Sequence, residues 1–187
     1  QIPVDVATGT YPSATSELTA SPTGASPATD SLIIVAAPTL RKEFIGGPAT
    51  PGGSVTLQYT LTLSENAPAD ATAINFTDDL AAMGITGLTA TLPVAPNPPC
   101  GTGSTLTGSA GDTLLTLGGG SLAPGESCTF SVTLNIPDTI ATADYTSTSS
   151  TVSATVDGRA VTSAAASTDL QIANLAATAD APFFRRS

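Results

Sequence analysis

The sequence predicts an all-β protein, an antiparallel sandwich of about eight strands with an extra strand pair at its N-terminal side. Three observations lead there: a Thr- and Ser-rich composition poor in helix formers, two runs of strict period-two hydrophobicity, and a Pro-Gly corner in front of each run. Of 187 residues, 32 are Thr, 19 Ser, 30 Ala, 17 Gly and 15 Pro. Thr, Val and Ile suit a pleated, half-buried surface, and Gly and Pro suit its turns, whereas Glu, Lys, Gln and Met are scarce. An apolar fraction of 41% supplies a core, and periodicity separates most of the chain from a disordered Ser/Thr-rich stalk.

Residues 40–44 (LRKEF) open the series as a strand. Residues 54–63 (SVTLQYTLTL) follow Pro51-Gly52-Gly53 and place Val55, Leu57, Tyr59, Leu61 and Leu63 on one face, with Thr56, Gln58, Thr60 and Thr62 on the other. Five alternations in a row predict a half-buried strand. Residues 128–136 repeat the pattern after Pro124-Gly125, with Cys128, Phe130, Val132, Leu134 and Ile136 facing inward. Both corners use Pro to preset φ and Gly to supply a positive one. Shorter strands are predicted over 71–78, 87–92 and 113–117. Residues 145–156 and 160–172 are predicted as two long strands joined at Asp157-Gly158, a hairpin signal. Gly118-Gly119-Gly120 and Gly101-Thr102-Gly103 precede neither a helix nor a Lys-Ser/Thr pair and are assigned to loops.

The chain also resembles itself. Residues 1–20 align without a gap on residues 135–154, with eight identities: Ile2, Pro3, Ala7, Thr8, Tyr11, Ser13, Ser16 and Ala20. Beyond a gap, Asp30-Ser31-Leu32 lies opposite Thr168-Asp169-Leu170, and Ala37-Pro38-Thr39-Leu40-Arg41-Lys42 opposite Ala181-Pro182-Phe183-Phe184-Arg185-Arg186. Residues 1–34 therefore read as the last two strands of a preceding module and 38–172 as one complete module. Residues 173–180 read as a linker and 181–187 as the start of the next module. A partial unit cannot bury its own apolar face, so the expectation is a piece of a longer repeat protein or a subunit completed by its neighbours.

The order Pro38-Thr39-Leu40-Arg41-Lys42-Glu43-Phe44, then Pro51-Gly52-Gly53-Ser54-Val55-Thr56-Leu57, then Thr77-Asp78-Asp79-Leu80 resembles the tandem repeats of the bacterial "domain of unknown function eleven" group. The stretch from Pro99-Cys100-Gly101 to Ser127-Cys128-Thr129-Phe130 resembles that group's two-cysteine subset. The resemblance covers residues 38–172 directly and 1–34 through the internal repeat. It implies an immunoglobulin-like sandwich in a large secreted or surface-anchored bacterial protein, and it carries over no activity. The group's usual Pro after the Thr-Asp-x-Leu step is Ala81 here.

Charge excludes several functions. Fifteen acidic residues face five basic ones, for a net charge of −10, and there is no His. His-based triads and the commonest zinc ligand are missing, and one Lys with four Arg cannot neutralise a run of phosphates. No stretch reaches the length of a membrane-spanning segment. Paired carboxylates for glycoside hydrolysis, with Glu65 or Glu126 as a partner, would sit in turns with no aromatic platform. The sequence is thus read as non-enzymatic and without a cofactor.

Four groups of residues remain. Cys100 and Cys128, an even pair in a chain of extracellular composition, are expected to form a disulfide closing a loop worth ~3.5 kcal/mol in the chain-entropy treatment. Asp78 and Asp79 are the candidate ligands for a Ca²⁺ ion, against the plainer roles of capping and solvation. The basic pairs Arg41-Lys42 and Arg185-Arg186, recurring at module starts, are expected to pair with acids of an adjacent module or subunit. Lys42 also stands on a first strand, where some immunoglobulin-like surface modules carry a lysine joined to Asn or Asp through an isopeptide bond. The matching Arg186 argues against that reading, because a guanidinium cannot be acylated in this way. Asn75-Phe76-Thr77 is a formal glycosylation sequon, unused in a bacterial setting.

Two functions follow. The first is a structural repeat unit outside the cell, a stalk, spacer or filament body whose partners are neighbouring copies or adjacent repeats, docked by strand complementation. The second is an adhesin module that binds glycan or host protein through end loops, with residues 93–104 (PVAPNPPCGTGS) the longest irregular segment. Its lack of aromatic residues counts against sugar stacking.

Overall fold

The computed structural model describes residues 8–17, 19, 24–108 and 113–174. In chain order the strands are β1 (Gly9–Ala14), β2 (Thr29–Ile34), β3 (Thr39–Ile45), β4 (Ser54–Thr62), β5 (Ala71–Asp79), β6 (Thr89–Ala95) and β7 (Thr105–Thr107). They continue with β8 (Leu114–Leu122), β9 (Ser127–Asn135), β10 (Asp144–Thr148), β11 (Val152–Val156), β12 (Arg159–Ser163) and β13 (Ser167–Gln171). One short 3₁₀ turn, Leu80–Met83, follows β5 and is capped by Asp79, whose side chain accepts a hydrogen bond from the Ala81 amide at 3.0 Å. The turn forms with Ala at position 81 because the cap, not a proline, supplies its start.

Two antiparallel sheets make an immunoglobulin-like sandwich. One has the order β3-β4-β9-β6 and the other β12-β11-β5-β8-β7. Strands β10 and β13 pair with each other at one side, as do β1 and β2. The alternation in β4 and β9 is what closes the core: Val55, Leu57, Tyr59 and Leu61 from the one, and Phe130, Val132 and Leu134 from the other, are all buried. Ile74, Phe76, Leu115, Leu117, Val152 and Val156 meet them from the second sheet. At the centre the rings of Tyr59 and Phe130 lie 5.2 Å apart and those of Tyr59 and Phe76 5.5 Å apart. Each such side chain withdrawn from water stabilises the fold by roughly 1.5–3 kcal/mol.

Between residues 38 and 172 the described residues form eleven strands, more than the eight expected. The short β7 adds one strand and two broken runs add the other two. The long runs 145–156 and 160–172 each break in two, at Ser149 to Thr151 and after Ser163, because the chain there changes partners. Ser149 binds Ala166 through both its amide (2.9 Å) and its hydroxyl (3.0 Å), while the next amide, Ser150, turns to the Thr77 carbonyl of β5 (2.7 Å). Gly118-Gly119-Gly120 departs from expectation without changing the number of strands: it lies inside β8 rather than in a loop. A Cβ at Gly120 would stand only 3.1 Å from the Ile74 Cβ of β5, so glycine lets the two strands approach. The Asp157-Gly158 hairpin joins β11 to β12 with φ of +49° and +69°, as the dipeptide predicts.

Candidate functional site

Strand β3 places Leu40, Lys42 and Phe44 on its inward face, and β5 does the same with Ile74, Phe76 and Asp78. One charge on each strand therefore points into the core. Lys42 is 4% exposed and Asp78 0%. Because β3 and β5 belong to opposing sheets, the two side chains meet across the sandwich: the Lys42 Nζ lies 2.5 Å from Asp78 Oδ2. Lys42 also donates to Ser147 Oγ of β10 at 2.7 Å, and the Tyr59 hydroxyl of β4 donates to the same Asp78 Oδ2 at 2.6 Å. The ammonium stands 5.7 Å from the centre of the Tyr59 ring. Asp78 Oδ1 is buried with no hydrogen-bond partner.

Four strands thus enclose one polar cluster inside an apolar core. Burial lowers the Lys42 pKa, and the neighbouring Asp78 offsets only part of that shift. Tyr59 moves well above its ordinary value, first because it is buried and second because a proton lost beside Asp78 would leave two negative charges in contact. The arrangement holds an amine, a carboxyl group and a phenol at contact distance with water excluded.

This placement corrects two expectations. Lys42 does not reach an adjacent module; its partners are Asp78 and Ser147 of its own sandwich. Arg41, the next residue, points outward and pairs with Glu43 on the same strand, while Arg185 and Arg186 lie outside the described residues. Asp78 and Asp79 do not converge on a calcium position either. Strand alternation sends Asp78 inward, where it pairs with the Lys42 ammonium, and sends Asp79 outward to cap the 3₁₀ turn. Among the described residues no group of three or more His, Cys, Asp or Glu is placed to hold a metal ion.

Cys100 and Cys128 are joined in a disulfide with Cα atoms 5.3 Å apart. Cys128 belongs to β9 of the first sheet, and the Cys100 carbonyl accepts from the Ser121 amide of β8 in the second, so the bridge also spans the sandwich. Tyr59 and Ser147 carried no functional signal in the sequence analysis. The legible signal was positional: a lysine and an aspartate standing at inward places of period-two strands.

Residues 38–172 match the family model described as Domain of unknown function (DUF7933). No curated protein matches the sequence. Among solved structures, the Actinomyces fimbrial adhesin FimA is 12% identical, with 67% of this chain and 47% of that chain covered and a TM-score of 0.40. The chain spans about half the length of that adhesin. The collagen-binding domain from a Staphylococcus aureus adhesin is 9% identical over 71% of this chain and 96% of that one, with a TM-score of 0.37. A family 123 glycoside hydrolase from Clostridium perfringens is 12% identical over 67% and 22%, with a TM-score of 0.30. With TM-scores below 0.5, none of the three says what this chain does.

Proposed function

The chain belongs to the family described as Domain of unknown function (DUF7933), and from that premise we propose that it is a structural repeat module of a bacterial extracellular or surface protein, joined to its neighbours through incomplete strand pairs. One observation carries this reading. Strands β1 and β2 pair in the register of β10 and β13: Tyr11 opposite Leu32, Pro12 opposite Ser31 and Ser13 opposite Asp30 correspond to Tyr145 opposite Leu170, Thr146 opposite Asp169 and Ser147 opposite Thr168. The same hairpin occurs twice, once inside a complete sandwich and once without one.

The burial of the two hairpins differs accordingly. Leu170 is 0% exposed and its counterpart Leu32 is 47% exposed. Residues 8–34 are then the closing strands of a preceding module, and a second copy or an adjacent repeat covers their apolar face. Contacts of this head-to-tail kind build filaments when they do not close into a ring. A disulfide across the sandwich suits an oxidising, extracellular setting, and the order of motifs around Cys100 and Cys128 favours kinship with the two-cysteine subset of the "domain of unknown function eleven" group.

The polar cluster supports a structural rather than a catalytic role for the module. Lys42 and Asp78 have side chains wholly buried, so no substrate in solution reaches them. Electron microscopy of the full chain at increasing concentration, with sedimentation velocity alongside, tests the proposal. Linear assemblies with a repeat near one module length are expected. Monomers at every concentration would overturn the strand-complementation part, and monomers that bind glycans would replace it with the adhesin reading.

A further inference from the structure

We propose that Lys42 and Asp78 condense into an intramolecular amide, a covalent bond between β3 and β5 that locks the two sheets together. The hydrogen bonds around the pair are those of an amide rather than of an ion pair. An ammonium has three protons to donate and a carboxylate two oxygens to satisfy. Here the nitrogen reaches Asp78 Oδ2 and Ser147 Oγ, Oδ2 accepts from Tyr59, and Oδ1 is buried with no partner at all. Remove Oδ1 as water and join Nζ to the Asp78 Cγ, and every polar atom is accounted for. The amide N–H donates to Ser147 Oγ, the amide oxygen accepts from the Tyr59 hydroxyl, and the orphaned oxygen is gone.

Burial favours the same outcome. An ion pair in this core holds two desolvated charges at a cost of several kcal/mol per ion before their attraction is counted, whereas an amide holds none. The chemistry balances without a further reagent. Moving one proton along the Lys42–Asp78 hydrogen bond to Oδ2, and from there across the carboxyl group to Oδ1, leaves a neutral amine and a neutral carboxyl group whose hydroxyl oxygen is Oδ1. The nitrogen lone pair attacks Cγ, and the C–N bond forms as electron density moves onto Oδ2, where the Tyr59 O–H stabilises it in the manner of an oxyanion donor. The tetrahedral carbon then re-forms its C=O bond and expels Oδ1, which leaves as water with one proton from the nitrogen and the proton already on the carboxyl. Nothing is oxidised or reduced. Burial, which lowers the Lys42 pKa and raises that of Tyr59, keeps the amine nucleophilic and the phenol able to donate. The equivalent Arg186 can form an ion pair but not this amide, so the bond is a property of the 38–172 module and not of every repeat.

Intact-mass measurement of the full chain, reduced and denatured so that the disulfide does not contribute, tests the bond. The expected mass is lighter than the sequence mass by one water. Trypsin locates the loss, because it cuts after Lys42 only when the amine is free. The chain has five basic residues, Arg41, Lys42, Arg159, Arg185 and Arg186. An amide yields a peptide 42–159 short of one water, whereas a free lysine yields a peptide beginning at Glu43. Dehydration confined to the adjacent Asp78-Asp79 pair as a cyclic imide would lose the same water but leave cleavage after Lys42 intact, and it would overturn the proposal, as would an unchanged mass. Tyr59→Phe, which keeps the ring, is expected to lower the cross-linked fraction at least tenfold in freshly made protein. Full cross-linking in that variant would remove Tyr59 from the mechanism while leaving the bond.

Discussion

Tyr59 carries the residue-scale consequence. Its hydroxyl is the hydrogen-bond donor to Asp78 Oδ2 in the middle of the core, and a buried oxygen left without its donor costs about 1–3 kcal/mol. Tyr59→Phe is therefore expected to lower the unfolding free energy near neutral pH by that amount, read from urea midpoints. The raised pKa adds a pH signature. The folded protein keeps the Tyr59 proton above pH 10.0, where the unfolded chain releases it, so the stabilisation is present in full below that pH and is lost as pH rises beyond it. Above about pH 10 the wild-type midpoint should fall more steeply with pH than that of Tyr59→Phe. Parallel curves would place the Tyr59 proton in an ordinary environment. The sequence told which face of β4 is buried, and so told that Tyr59 faces the core. What it could not tell is that Asp78 stands opposite Lys42, because that contact joins residues 36 apart on different sheets, and single-strand patterns hold no inter-sheet register. Read as charges on a strand, Lys42 and Asp78 looked like surface groups.

At the scale of elements, the strands with long uninterrupted alternation were legible almost to the residue, and those that change partners were not. Strand β4 was expected over 54–63 and spans Ser54–Thr62, and β9 was expected over 128–136 and spans Ser127–Asn135. The short β7, by contrast, has too few residues for a period to show. The loop between β6 and β7 illustrates how tightly connections are fitted. Gly101 has φ +81° and a Cβ there would lie 2.8 Å from the Ser121 carbonyl oxygen of β8, whereas Gly103 has φ +84° and open space around it. Gly103→Ala should cost about 1 kcal/mol, the conformational term alone. Gly101→Ala must also push a strand backbone aside and should cost about 2–3 kcal/mol. Equal costs would show that the Cys100 loop is free to move away from β8. The disulfide beside it sets a third magnitude. Reduction releases a loop with a sequence separation of 28, and the urea midpoint should drop by the equivalent of ~3.5 kcal/mol. The sandwich should remain folded if its two sheets are also tied through Lys42 and Asp78.

At the scale of the whole molecule, the internal repeat was legible because identity at a fixed offset needs no three-dimensional knowledge. The consequence of that repeat is an asymmetry between two equivalent leucines. Leu170 is fully buried in the core on β13, beside β3, and Leu32 stands 47% exposed on a hairpin with the same register. A charge at Leu170 has no water and no partner, so Leu170→Glu is expected to cost more than about 4 kcal/mol and to shift most of the chain toward the unfolded state. Leu32→Glu meets solvent in the isolated chain and should change stability by no more than about 0.5 kcal/mol. In an assembly the order reverses, since Leu32 is then the residue a neighbouring sandwich must cover, and a carboxylate buried in that contact disfavours it. Sedimentation of Leu32→Glu at concentrations where the wild type associates should therefore show a folded monomer. A variant that unfolds as readily as Leu170→Glu would mean that the hairpin packs on its own module. One that associates like the wild type would mean that copies meet through some other face.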